Sequence, residues 1–256
     1  DIIKTSSLYD INYDDIADGS LNKNIVITET EHTLNNETIA RYMYTDEEKN
    51  IYPAGMPLII KEGNTFNLDI KNEMSVDTNI HWHGLSLPND QDGPHLLIDQ
   101  SGGKYSYSFT PDYSGTYWYH SHNRPVRDQV DFGMHGPLII LDENDAQYTF
   151  DRVLMLDDWL VNQNTGHMQV EGDVDTVNGL TDQDIEPIVI TNNDLVKLRF
   201  IQASTAKNTT LYFPFPVKVT HMDGIALKEP YETNELELSP AERYDVVFQI
   251  TKEESD

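Results

Sequence analysis

Four histidines stand in two pairs of equal spacing: His81 and His83 in His81-Trp82-His83-Gly84, and His120 and His122 in Trp118-Tyr119-His120-Ser121-His122. On an extended strand, residues i and i+2 share a face, so each pair sets two imidazoles side by side with Cα atoms about 6.6 Å apart. Two such strands brought together direct four rings into one pocket. Neutral imidazole suits Cu, Zn, Fe and Ni, and with no thiolate in the chain copper and zinc lead. One His-x-His alone is weak evidence, because ordinary strand histidines satisfied by hydrogen bonds share the spacing. Two pairs, each set among aromatics and glycine, argue for ligation: four polar rings on the inward faces of apolar segments need a partner.

The elements that must position these pairs are short and extended. Asn24 to Thr30, Pro57 to Ile60, Thr65 to Ile70, Lys104 to Phe109, Gly115 to His122 and Gly136 to Leu141 are expected strands. In the fourth, Tyr105, Tyr107 and Phe109 alternate with Lys104, Ser106 and Ser108, the period of a half-buried strand. No stretch of this half has convincing helical periodicity. Asp142 to Ala146 breaks the apolar pattern, and extended segments then resume: Arg152 to Leu156, Pro187 to Ile190, Val196 to Ile201, Val217 to Thr220, Glu235 to Leu238 and Tyr244 to Ile250. Many short strands punctuated by turns predict an all-β protein of two consecutive β-sandwich domains, residues 1–145 and 146–256. The polar tail Lys252 to Asp256 reads as a linker or a frayed end.

Composition narrows the function. With 44 acidic against 17 basic residues and a net charge of -27, the chain lacks the clustered Lys and Arg that a nucleic-acid face requires. The absence of cysteine removes disulfides, thiolate catalysis and every thiolate metal site. The longest apolar runs, Pro57 to Ile60 and Pro137 to Leu141, are strand-sized, so no membrane span is expected. No basic-then-apolar leader opens the chain, and Asp1-Ile2-Ile3-Lys4 reads as a mature start left after signal removal or as the edge of a domain piece.

The motifs together resemble the multicopper oxidase family. His81-Trp82-His83-Gly84-Leu85 followed by Asp92-Gly93-Pro94 is similar to its first copper motif. Gly115 to His122 followed by Gly133-Met134-His135-Gly136-Pro137-Leu138-Ile139 is similar to the second. Val177-Asn178-Gly179, Leu198-Arg199-Phe200, His221-Met222-Asp223-Gly224 and Leu238 to Asp245 continue the likeness across nearly the whole chain. The resemblance implies two cupredoxin-like Greek-key domains, the first carrying both copper motifs and the second non-ligating. It assigns His81 to a type 2 copper, His83 and His120 to one type 3 copper and His122 to the other. It gives Asp92 a role in proton delivery, against the simpler role of a turn residue before Gly93. Trp82 is expected to pack beside the cluster, His135 to support or pack, and His221 to be structural. His32, His95 and His167 are expected at the surface or in turns, and the scattered methionines, Met168 among them, as core filler.

In this family a type 1 copper takes electrons singly from substrate and a trinuclear centre passes four to dioxygen. The type 1 site needs a cysteine with two histidines, and this chain has none. The order of motifs matches domains one and two of a three-domain enzyme. The expectation is therefore a laccase-like copper oxidoreductase of phenols, aromatic amines or metal ions, inactive until a C-terminal cupredoxin domain joins in cis or as a separate chain. A stand-alone copper-binding cupredoxin without redox turnover is the alternative. Either is expected in the periplasm or secreted.

Overall fold

A computed structural model describes residues 7–34, 36–161, 172–185 and 187–250. His167, Met168, Asp1 to Lys4 and the tail from Lys252 lie outside the described residues. The first sheet has the order β2-β1-β4-β6, built from β1 (Leu21–Leu34), β2 (Glu37–Thr45), β4 (Phe66–Asn72) and β6 (Lys104–Phe109). The second runs β3-β8-β7-β5, from β3 (Leu58–Lys61), β5 (His81–His83), β7 (Gly115–His120) and β8 (His135–Leu141). The third has six strands in the order β10-β9-β11-β14-β12-β13. These are β9 (Phe150–Trp159), β10 (Val174–Val177), β11 (Leu195–Gln202), β12 (Thr209–Met222), β13 (Ile225–Leu238) and β14 (Arg243–Gln249). Two short helices, α1 (Asn89–Asp92) and α2 (Val126–Asp131), flank the histidine segments. The fold is all-β.

Alternation along each strand sorts the side chains into layers. Ile25 and Ile27 of β1, Leu68 and Ile70 of β4, and Tyr107 and Phe109 of β6 face inward from the first sheet. They meet Leu58, Ile60, Trp82, Tyr117, Tyr119, Leu138 and Ile140 from the second. The opposite face of the second sheet is covered too. Trp118, Ile139 and Leu141 pack with Val153, Met155, Ile201 and Ala203 of β9, β11 and the residue after it, and with Tyr9 and Ile11. Two-sided burial explains why Gly136 to Leu141 reads as a nearly unbroken apolar run. Residues before β1 also belong to the third sheet's edge: the Ile11 amide donates to the Asp151 carbonyl at 2.8 Å and the Val153 amide to that of Tyr9 at 3.0 Å.

The third sheet curls over its own core. β12 and β13 are 14 residues each and bend where their pairing shifts register between Tyr212 and Val217. Leu211, Phe213 and Phe215 thereby reach Leu154, Phe200 and Leu236. Two strand expectations need correction. Pro187 to Ile190 forms no strand; Ile188 and Val189 are exposed, and the Pro187 carbonyl accepts from Arg152 Nη1 rather than from a neighbouring strand. The strand expected through His122 ends at His120: the Ser121 amide still donates to the Met134 carbonyl at 3.0 Å, but the Met134 amide turns away to the Gln129 carbonyl at 3.0 Å.

Candidate metal centre

Pairing of β5 with β7 places His81 opposite His120, Trp82 opposite Tyr119 and His83 opposite Trp118. β8 extends the row by setting His135 opposite His120. Since Trp82 and Tyr119 point into the core, His81, His83, Trp118 and His120 share the other face of the sheet. Trp82 is therefore not beside the cluster as expected; it is fully buried against Tyr107, Phe109 and Tyr119. Trp118 occupies that place, with its ring centroid 4.3 Å from His120 and 5.2 Å from His83. The same period-two rule that pairs the histidines identifies Trp118 from sequence.

One nitrogen from each of His81, His83 and His120 lies within 4.8 Å of the other two. His83 Nδ1 and His120 Nε2 face each other at 3.2 Å. His120 Nδ1 lies 2.8 Å from the Ser121 carbonyl; donating there fixes the tautomer and makes Nε2 the unprotonated nitrogen that faces His83. Two nitrogens bound to one tetrahedral ion at ~2.0–2.1 Å stand about 3.3–3.4 Å apart, close to the His83–His120 spacing. His122 flanks this trio with its ring 5.4 Å from His81 and 6.2 Å from His120, its backbone amide held by Asn79 Oδ1 at 2.7 Å.

Burial favours the neutral ring at His83, His120 and His122. Burial, assisted by the Arg243 guanidinium and the neighbouring His81 and His122, brings His83 down to about 4. Burial drives His120 well below the ordinary imidazole value despite the Ser121 carbonyl, and lowers His122 with help from His81. Neutral rings offer the lone pairs that metal ligation needs.

Asp92 ends α1 and faces His81 with two oxygens: its carbonyl lies 3.1 Å and Oδ1 3.3 Å from His81 Nδ1. The turn role and the histidine contact hold together, since Gly93 follows at φ 98°. His135 is buried and bonds through Nε2 to Asp157 of β9 at 3.0 Å, away from the trio. His221 contacts Thr220 and Asp245 in the third sheet. His95 is exposed, whereas His32 is half-buried on β1 with Nε2 3.2 Å from the Gly179 carbonyl, not a surface residue as expected.

Two sequence profiles, each described as multicopper oxidase, match residues 28–145 and 118–256. The chain belongs to the multicopper oxidase family. It is similar to Copper resistance protein A of Pseudomonas syringae pv. tomato, 42% identical over 104 residues, or 39% of this chain and 17% of that protein. A laccase of Pycnoporus cinnabarinus is 29% identical over 229 residues, 79% of this chain and 43% of that one. The blue copper oxidase from Nitrosomonas europaea superposes with a TM-score of 0.79 at 25% identity, covering 89% of this chain and 75% of the other. The chain thus spans less than half the length of either sequence relative. Its sheets are the cupredoxin-type Greek-key arrangement of multicopper oxidases. For that family its histidine site is partial, and without a cysteine the chain holds no type 1 copper site.

Proposed function

We propose that this chain is the N-terminal part of a laccase-like multicopper oxidase, with residues 1–145 supplying trinuclear ligands and residues 146–256 supplying none. The observation that carries it is the facing of His83 Nδ1 and His120 Nε2 at 3.2 Å from two paired strands, in a site of nitrogen donors alone. These two hold one type 3 position, His81 the type 2 position, and His122, set apart from the trio, the other type 3 position. Copper held there supplies the redox chemistry by which dioxygen takes up four electrons and four protons to give water. Trp118 packs against the rings of His83 and His120 and would hold them toward a bound ion. Asp92, partly exposed and against His81, delivers protons from solvent toward the site.

A C-terminal cupredoxin domain, in cis or as a separate chain, completes the ligand set and brings the thiolate site that receives electrons from phenols, aromatic amines or metal ions. The scattered methionines favour organic donors over a dedicated metallo-oxidase. Among the described residues no helix is long and apolar enough to cross a membrane; a periplasmic or secreted location is part of this reading.

The test is oxygen uptake and visible absorption of copper-loaded protein. This chain alone is expected to show neither turnover nor a blue band, and the completed protein to show both. His120→Ala in the completed protein abolishes oxygen uptake and spares the blue band. Sustained oxygen reduction by the chain alone defeats the proposal, and copper binding without any turnover by the completed protein replaces it with a binding function.

A further inference from the structure

The β5–β7 ladder ends at the His81–His120 pair. Beyond it, the segment leading into β5 and the segment leaving β7 run side by side without backbone pairing, yet His122 lies on one and the approach to His81 on the other. One side chain from α2 spans both. Gln129 is 8% exposed, and its Oε1 accepts from Thr78 Oγ1 at 2.8 Å and from Ser121 Oγ at 2.5 Å. Its Nε2 donates to the Asp77 carbonyl at 2.8 Å, where Asn123 Nδ2 also donates at 2.6 Å. Thr78 and Ser121 are fully buried, so neither hydroxyl can turn to water for a substitute.

From this geometry we infer that Gln129 is a positioning residue for the metal site, an inference that rests on the copper reading above. Its action runs along two routes. Through Ser121 it fixes the carbonyl that accepts from His120 Nδ1 and so sets that ring's tautomer and direction. Through Asp77 and Thr78 it fixes the adjoining Asn79, whose Oδ1 accepts the His122 amide. The chemistry is particular to a carboxamide, which accepts two hydroxyl protons on one side and donates to a carbonyl on the other. An ionised Glu in its place sets a carboxylate against the Asp77 carbonyl, and Leu removes the short acceptor the two buried hydroxyls share, leaving them their longer contact with each other at 3.3 Å and that of Thr78 with the Asn79 carbonyl at 3.4 Å.

The experiment is Cu²⁺ affinity of the 256-residue chain by chelator competition, with circular dichroism as the check on folding. Outer partners of metal ligands typically contribute roughly 10–100-fold to affinity, and Gln129→Leu is expected to lose that much. Val130→Ala, a neighbouring buried change in α2 that touches none of these bonds, lowers thermal stability and leaves affinity within about twofold. Ser121→Ala and Thr78→Val each remove one arm and weaken binding several-fold, which covers the case that Gln129→Leu does not fold. In the Ser121→Ala background, Gln129→Leu costs less than it does alone, because part of its route is already cut. Wild-type affinity in all three clamp variants, or a loss that merely follows stability as in Val130→Ala, overturns the positioning role. If the wild-type chain takes up no copper, the copper reading falls first and this role with it.

Discussion

At His83, metal-binding chemistry begins with desolvation: an imidazole with an ordinary value of 6.5 is held at about 4 by burial first and by the nearby Arg243 guanidinium. The unfolded chain therefore takes up a proton at this residue below 6.5, while the folded chain resists until about 4. Stability associated with the neutral ring is fully present above 6.5 and drains away as pH falls toward 4. Thermal unfolding of the metal-free chain should show a melting temperature that declines across this window, and His83→Gln should flatten part of the decline. Identical profiles would mean that His83 is solvated in the folded protein. His-x-His spacing was readable because period two depends on strand geometry alone. What it left unread was which tryptophan backs the rings, although the same parity places Trp118 with the histidines and Trp82 with the core. Ser121, Asn79 and Gln129 left no such trace, since hydrogen-bond partners 8 to 51 residues apart follow no local period.

Elements succeed or fail by what covers them. Lys104 to Phe109 and Gly136 to Leu141 were legible as strands, one from alternation and the other from two-sided burial. Pro187 to Ile190 was just as apolar but pairs with no strand among the described residues, and the length of the β12–β13 hairpin was hidden by the polar residues on its exposed face. β5 is only three residues long and depends on its surroundings. Gly93, at φ 98°, brings the end of α1 so near β5 that a Cβ there would stand 1.7 Å from the Ile80 carbonyl oxygen. Gly93→Ala must push Asp92 away from His81, with an expected loss of about 3 kcal/mol or more in urea unfolding and weakened copper binding. Gly102→Ala is the comparison: its φ is 115° but nothing lies within 4 Å, so backbone strain alone gives about 1–2 kcal/mol and no change in copper affinity. Equal losses at both positions would show that crowding at Ile80 is not what fixes this turn.

At the scale of the molecule, the two halves are interlocked by charge as well as by apolar packing. Arg199 is fully buried and bonds to Asp151 at 2.7 Å and Asp145 at 2.8 Å, and Lys197 reaches Asp145 at 2.7 Å and Asp245 at 3.4 Å. Asp245 in turn accepts from Thr116 of β7 at 2.6 Å. Removing one cation from such a group leaves buried carboxylates uncompensated, so Arg199→Met should cost about 3–5 kcal/mol in chemical denaturation. A cost below about 1 kcal/mol would show the group to be hydrated. The polar interruption at Asp142 to Ala146, visible as a change of composition, falls at the short 3₁₀ turn Glu143–Gln147 between β8 and β9. The interlock was not visible in this way, because Thr116 and Asp245 are 129 residues apart and neither is unusual where it stands. Thr116, Trp118 and His120 lie on one face of one strand, so the ligand strand is gripped at its far end by a residue near the close of the described chain. During synthesis on the ribosome, both histidine pairs emerge well before Asp245 does. β7, the strand that carries His120, lacks its side-chain anchor at Thr116 until the third sheet has been translated and folded, which ties the setting of this strand to completion of the second half rather than to first appearance of its histidine.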